Sequence, residues 1–206
     1  MNHVKSSYTV LPINYFKTPY WNCLILPAYL DGDSFGYIQK NEPNEQISKQ
    51  IIYDVLKGLI HLENVNVIHH DIKPENVFLY RKSNKIHAII GDFGFSEIVN
   101  DESTDYEIGG SDPYLAPEIL IGAPYSFNSD VWSVGVMMYL FLTHSHPFWG
   151  TRDEIIQQIF SKSLRLPLDI SSDAQDLLNK LLRIDPSQRL TAREAIQHRW
   201  FNNIKD

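Results

Sequence analysis

The sequence predicts an α+β fold in one compact unit, with a small β-rich start on a mainly helical body. Three observations carry that expectation. Short β-branched and aromatic segments crowd the first thirty residues, apolar residues recur at helical spacing from Asn44, and helix-start signatures repeat through the second half.

Taken in chain order, residues 8–16 and 22–29 read as strands separated by the turn Lys17-Thr18-Pro19. Asp31-Gly32-Asp33 closes the second. The period then changes: Ile47, Ile51, Val55, Leu59 and Leu62 fall on one face of a helix of about five turns that ends near Asn64. Val67-Ile68-His69 is a short extended stretch. Residues 77–80 and 86–90 predict a hairpin joined by the polar turn Arg81-Lys82-Ser83-Asn84. Further on, Ser129 is the expected cap of a buried helix over 130–142, and Ile155, Ile156 and Ile159 mark another. Ser172-x-x-Gln175 and Thr191-x-x-Glu194 are capping boxes that open two last helices, because a hydroxyl and a carboxylate or amide three residues apart satisfy each other's free N–H groups.

Composition excludes several classes. Eighteen Lys+Arg against 25 Asp+Glu give a net charge of −7, which argues against a nucleic-acid binder relying on a broad basic surface. Hydrophobic and charged fractions of 43% and 21% do not fit a disordered chain. A single cysteine, Cys23, leaves no disulfide framework and no CxxC metal site. There is no N-x-S/T sequon, the first residues are too polar for a signal peptide, and the apolar run 134–142 falls far short of the ~20 residues that cross a bilayer. The expectation is a soluble protein of a reducing compartment, cytosol or nucleus, with neither nucleic acid nor membrane as partner.

The chemistry concentrates in two short segments. One is His69-His70-Asp71-Ile72-Lys73-Pro74-Glu75-Asn76, the other Gly91-Asp92-Phe93-Gly94, and the predicted hairpin between them folds back on itself. Asp71, Asn76 and Asp92 can therefore meet at one edge as an all-oxygen set suited to Mg²⁺. Lys73 beside Asp71 can balance charge on a transferring phosphoryl group. Direct metal binding by His69 with His70 is not expected, since adjacent side chains diverge.

HHDIKPEN resembles the catalytic loop of eukaryotic protein kinases, and GDFG resembles their magnesium motif. Gly110-Ser111-Asp112-Pro113-Tyr114-Leu115-Ala116-Pro117-Glu118 is similar to the end of a Ser/Thr-kinase activation segment. Asp130-Val131-Trp132-Ser133-Val134-Gly135 resembles the opening of the family's central helix, and Asp185-Pro186-Ser187-Gln188-Arg189-Leu190-Thr191-Ala192 its late D-P-x-x-R element. The resemblance runs over nearly the whole chain and implies a protein-kinase-like fold, with residues 1–30 as the remnant of a small lobe plus hinge and 31–206 as the large lobe.

It also implies roles. Asp71 accepts the substrate hydroxyl proton, and Lys73, a residue typical of the Ser/Thr-specific branch, accompanies it. Asn76 and Asp92 hold Mg²⁺ on the ATP phosphates. Pro27 offers its carbonyl and Tyr29 its N–H to adenine, Asp33 faces the ribose, Phe78 floors the base, and Glu75 is counted with the nucleotide-binding set. Ser111 contacts Asp71 and Lys73, Glu118 pairs with Arg189, Asp130 bonds the catalytic-loop backbone, and His69 stacks with Phe93. The implied activity is transfer of the ATP γ-phosphoryl group to a protein Ser or Thr hydroxyl. The segment His146-Pro147-Phe148-Trp149 looks most like the calmodulin-dependent and neighbouring groups, with His144 and His146 as loop residues.

Departures set the alternatives. The sequence contains no G-x-G-x-x-G loop and no V-A-I-K strand, and Lys5 and Lys17 lie too near the hinge to replace its lysine. By resemblance, roughly 60–90 residues of the lobe that covers ATP are lacking. The chain is then either a piece of a kinase or a pseudokinase-like binding module without turnover; a small-molecule phosphotransferase is the third reading. Val10, Leu11 and Leu26 should lose cover, inviting a partner over that face. His70 stands where loop-phosphorylated kinases carry Arg, and Glu107 where a phosphosite is common, so activity should not depend on a phosphate there, including on Ser103 or Thr104.

Overall fold

The computed structural model describes residues 6–42, 44–99, 109–161, 164–166 and 170–204. Two short strands, β1 (Asn14–Lys17) and β2 (Asn22–Ile25), form an antiparallel hairpin with Asn14 opposite Ile25. Residues 8–10 do not extend it, contrary to the sequence expectation. Their backbone joins the body instead: Ile90 N–H donates to Tyr8 O at 2.9 Å and Val10 N–H to Ile90 O at 2.7 Å. Val10 is consequently buried rather than uncovered, whereas Leu26 is exposed as expected.

A short helix α1 (Ser34–Ile38), which no apolar period announces, starts on the Asp33 cap. The long helix α2 (Glu45–Asn64) begins where Asn44 accepts from Ile47 N–H and ends within a residue of its expected stop. After β3 (Val67–Ile68) come β4 (Val77–Lys82) and β5 (Lys85–Ile90), paired from Val77↔Ile90 to Lys82↔Lys85. The hairpin turn is tighter than predicted. Only Ser83 and Asn84 lie outside the ladder, both with positive φ (50° and 62°), the geometry whose twist matches flanking strands. A two-residue strand β6 (Glu97–Ile98) pairs with β3.

The rest is helical: α3 (Pro117–Leu120), α4 (Phe127–Thr143), α5 (Arg152–Phe160), α6 (Ser172–Leu181) and α7 (Ala192–Ala195). Helix α4 is apolar nearly all round, which is the signature of an interior helix, and Trp132, Met137 and Phe141 on it are fully enclosed. Its N-cap is Ser126, with Ser129 three residues on completing a reciprocal capping box, so the expected cap is off by one serine. Helix α6 is likewise capped by Ser171 rather than Ser172, and Gln175 reaches back to Ile170 O. Thr191 and Glu194 form the expected box, and Thr151 with Glu154 forms a further one that the same pattern could have revealed.

Helix α2 lies between β5 and α4. Gly58 permits this closeness, since a Cβ there would come within 2.6 Å of Ile90 Cδ1. Buried Asp54 fastens the same contact, accepting from Ala88 N–H at 2.9 Å, from Gln50 at 3.0 Å and meeting His87 Nδ1 at 3.1 Å. Among the described residues no helix is long and apolar enough to cross a membrane.

Candidate active site

Asp130, at the start of α4, fixes the catalytic loop. Its two carboxylate oxygens accept from His69 N–H at 2.8 Å and His70 N–H at 3.0 Å. Burial pushes the Asp130 carboxyl up to about 7, and the two N–H donors oppose that push. One donor on each oxygen is the pattern a carboxylate satisfies. Burial also lowers His69, keeping its ring neutral; Nε2–H then donates to Gly91 O (2.9 Å) while Nδ1 accepts from Asp71 N–H (3.3 Å). The His69 ring meets Phe93 edge-on, at 5.1 Å and 62°, rather than stacked flat.

From this frame Asp71 projects into a dense polar cluster while itself buried. Its Oδ1 accepts from the Ser111 hydroxyl at 3.0 Å, and its Oδ2 accepts from Asn76 Nδ2 at 2.9 Å and pairs with Lys73 Nζ at 2.8 Å. Lys73 also donates to Ser111 Oγ at 2.7 Å. Asn76 Nδ2 reaches the Asp71 carbonyl as well, at 2.8 Å. Both amide hydrogens of Asn76 are therefore committed to Asp71, which turns its amide oxygen into the ligand-capable end. Gly91 N–H donates to Asn76 O at 2.8 Å, one step beyond the Val77↔Ile90 pair, and so brings the neighbouring Asp92 to the same edge. Asp92 is exposed, with a left-handed backbone (φ 53°), and accepts from Gly94 N–H at 3.2 Å.

An amide oxygen and an open carboxylate suit a hard cation that keeps several other oxygen ligands. Among the described residues no three His, Cys, Asp or Glu side chains gather into a metal-holding group, so these residues form no closed cage. Glu75 is exposed on the short turn Pro74–Asn76. Phe78 is half-buried and lies parallel to Tyr29, with centroids 5.5 Å apart and an interplanar angle of 8°. Pro27 is half-buried in the segment after β2, and Asp33 spends Oδ1 on Gly36 N–H at 2.7 Å as the α1 cap. The Lys73, Asn76 and Ser111 side chains thus all meet at Asp71, and Lys73 also touches Ser111; Asp33 has a structural task of its own.

The activation-segment end is anchored twice. Arg189 grips Glu118 through both nitrogens at 2.8 Å, a buried fork on both carboxylate oxygens. Gly110 takes φ 101° and passes so near the catalytic loop that a Cβ would sit 2.6 Å from His70 O. The second anchor has no signal in the sequence. Tyr125 lies flat on His70, with centroids 4.0 Å apart and planes 5° apart, and its hydroxyl donates to Gly109 O. Burial holds the His70 ring down at about 4 and the Tyr125 hydroxyl up at about 12. His70 is therefore a neutral stacking partner at physiological pH. Ser103, Thr104, Glu107 and Lys5 lie outside the described residues.

Comparison with known proteins agrees with this geometry. The family model for the protein kinase domain matches residues 1–201. The chain is 33% identical over 194 residues to myosin light chain kinase A of Dictyostelium discoideum, covering 91% of this chain and 66% of that protein. It is 33% identical over 206 residues to the SNF1-related protein kinase catalytic subunit alpha KIN12 of Arabidopsis thaliana (98% and 40%). With the rat serine/threonine-protein kinase D2 the identity is 34% over 197 residues (92% and 22%). The chain thus spans under two thirds of the length of these relatives. On the motif order, the catalytic-loop geometry and a match over almost its full length, this chain belongs to the protein kinase domain family.

Proposed function

We propose that the chain is a Ser/Thr protein kinase domain that moves the γ-phosphoryl group of ATP onto a Ser or Thr hydroxyl of a protein. The observation that carries this reading is the convergence of Lys73, Asn76 and Ser111 on Asp71, with Asn76 tied through its carbonyl to Gly91, the residue before Asp92. Asp71 is the base: its Oδ1, which in the resting site accepts from the Ser111 hydroxyl, can accept instead from a substrate hydroxyl as that oxygen attacks phosphorus and the bond to the β-phosphate oxygen breaks. Lys73, with one contact on Asp71 and one on Ser111, holds positive charge where the transferring group gathers negative charge. Asn76 and Asp92 would hold Mg²⁺, which supplies charge neutralisation on the nucleotide phosphates. The Pro27 carbonyl and Tyr29 N–H, free of hydrogen bonds among the described residues, suit the adenine edge, and Phe78 its face. The hydroxyl-bearing substrate is favoured by Lys73 and by the relative named a serine/threonine-protein kinase. A reducing compartment suits the unpaired Cys23.

A second reading, a nucleotide-binding module without turnover, is favoured by the occupancy of Asp71, whose Oδ1 is taken by Ser111 and whose Oδ2 is taken by Asn76 and Lys73. Phosphotransfer from Mg²⁺-ATP to a Ser/Thr peptide library separates the two. Removing a general base costs about 10²–10⁴ in rate, so Asp71→Asn should slow transfer by that factor while calorimetric ATP binding persists. Binding without transfer by the unaltered protein selects the module; neither binding nor transfer ends the nucleotide assignment.

A further inference from the structure

Tyr125 immediately precedes Ser126, the cap of α4, and Asp130 lies in the first turn of that helix. Both address His70. Asp130 accepts from its backbone N–H at 3.0 Å, and the Tyr125 ring lies flat on its imidazole with centroids 4.0 Å apart. The imidazole contributes packing there, since its Nε2 is buried with no hydrogen-bond partner among the described residues. The far end of Tyr125 reaches a different segment, where its hydroxyl donates to Gly109 O. One element, the start of α4, therefore sets the separation between the catalytic loop and the lead-in to Ser111.

That lead-in needs a hold. Gly109 and Gly110 run directly into Ser111, and consecutive glycines are the least restrained backbone a chain can have. Close walls confine them: a Cβ on Gly109 would come within 2.6 Å of Phe95 Cδ1, and one on Gly110 within 2.6 Å of His70 O and 2.9 Å of Leu115 Cδ2. Among the described residues, the Tyr125 hydroxyl makes the one hydrogen bond to the backbone of this pair. Downstream, Ser111 is held separately, by Tyr114 N–H on Ser111 O at 2.9 Å and by the Ser133 hydroxyl on Tyr114 O at 2.8 Å. Between these two holds the Ser111 hydroxyl meets Asp71 Oδ1 at 3.0 Å and Lys73 Nζ at 2.7 Å.

We propose that Tyr125 is a positioning residue for phosphoryl transfer: with its ring on His70 and its hydroxyl on Gly109, it keeps Ser111 seated on Asp71 and Lys73. The inference rests on the kinase reading of that cluster and adds a residue outside it.

Tyr125→Phe removes the hydroxyl and keeps the ring, so the fold and the stack remain. Phosphotransfer to a Ser/Thr peptide should fall roughly five- to tenfold in kcat, the rate equivalent of one hydrogen bond, with the KM for ATP unchanged. Tyr125→Leu loses the ring as well and should fall by about the same factor again. A second readout needs no turnover: ¹⁵N relaxation dispersion should rise at Gly110, Ser111 and Asp112 in Tyr125→Phe, and not at Val134 to Met138 inside α4. An undiminished kcat, a loss carried by the KM for ATP, or dispersion no greater than in the unaltered protein would each overturn the assignment. An unaltered protein that transfers no phosphate would overturn the kinase reading instead. The hold of Tyr125 on Ser111 would then stand if dispersion rises in Tyr125→Phe, and fall with that reading if it does not.

Discussion

The molecule contains two antiparallel hairpins of similar strand chemistry and opposite circumstances. In β4–β5 the inward residues Val77, Leu79, Ala88 and Ile90 are fully buried, β5 packs on α2, and Asp54 ties the strand backbone to that helix. In β1–β2 every residue is at least partly exposed, including Tyr15 and Phe16 on one strand and Leu24 and Ile25 on the other. Ladder hydrogen bonds shape both, yet an isolated two-stranded hairpin is marginal in water, and only the covered one has a hydrophobic reason to hold its register. The residues proposed to hold Mg²⁺, Asn76 and Asp92, flank the covered hairpin. The residues expected to meet the base, Pro27 and Tyr29, follow the uncovered one and are moored by Tyr29 on Phe78 and by Leu79 N–H on Gly32 O at 2.8 Å. Rigidity is thus concentrated where phosphoryl chemistry would occur.

If the body is one cooperative unit and the first hairpin is not part of it, a lesion in the body should leave the hairpin's local behaviour unchanged. The largest effect is expected from Glu118→Ala, which strands the buried Arg189 guanidinium. Denaturant titration should show a loss of about 3–5 kcal/mol, with amide exchange in β1–β2 no faster than before. Leu79→Ala, a cavity in the covered hairpin, should follow at about 2–5 kcal/mol by the same titration. A loss below about 1 kcal/mol at Leu79 would erase the contrast, because β4 would then be no better packed than β1.

Acid separates the two regions by another route. His70 titrates near its ordinary 6.5 when unfolded but at about 4 when folded, because burial disfavours the cation. Between those values the folded protein binds fewer protons than the unfolded one. The His70 contribution is therefore complete above pH 6.5 and is lost as pH falls through about 4. His70→Asn keeps a residue that tolerates the left-handed backbone and removes the titration. The slope of stability against pH between 6.5 and 4 should flatten in that variant, and an unchanged slope would assign the acid sensitivity elsewhere.

The covered region was also the more legible one in the sequence. Helix α2 was readable to within a residue at both ends, because its apolar period is a local feature. The catalytic cluster was readable because its motif fixes Asp71, Lys73 and Asn76 within six residues on one loop. What escaped depends on contacts far apart in sequence or on a choice between equal neighbours. Tyr125 stacks on His70 across 55 positions, which no spacing encodes. Ser126 and Ser129 satisfy each other, so either could be taken for the cap. Residues 8–10 have the β-character of a hairpin strand, but Ile90 offered a buried partner and the hairpin did not.

The smallest expected effect tests the uncovered hairpin directly. Leu24 is 39% exposed and paired with Tyr15 in the ladder, with no helix beneath it. Truncating a side chain that stays in water creates no cavity, so Leu24→Ala should change unfolding free energy by less than about 0.5 kcal/mol. The companion measurement is hydrogen exchange, where β1–β2 amides should open through local fluctuation, far faster than those of β4–β5, which open only with the body. A loss of 2 kcal/mol or more at Leu24, with β1–β2 protection matching β4–β5, would mean that this face is covered in solution. The two hairpins would then differ in what covers them, and no longer in whether they are covered.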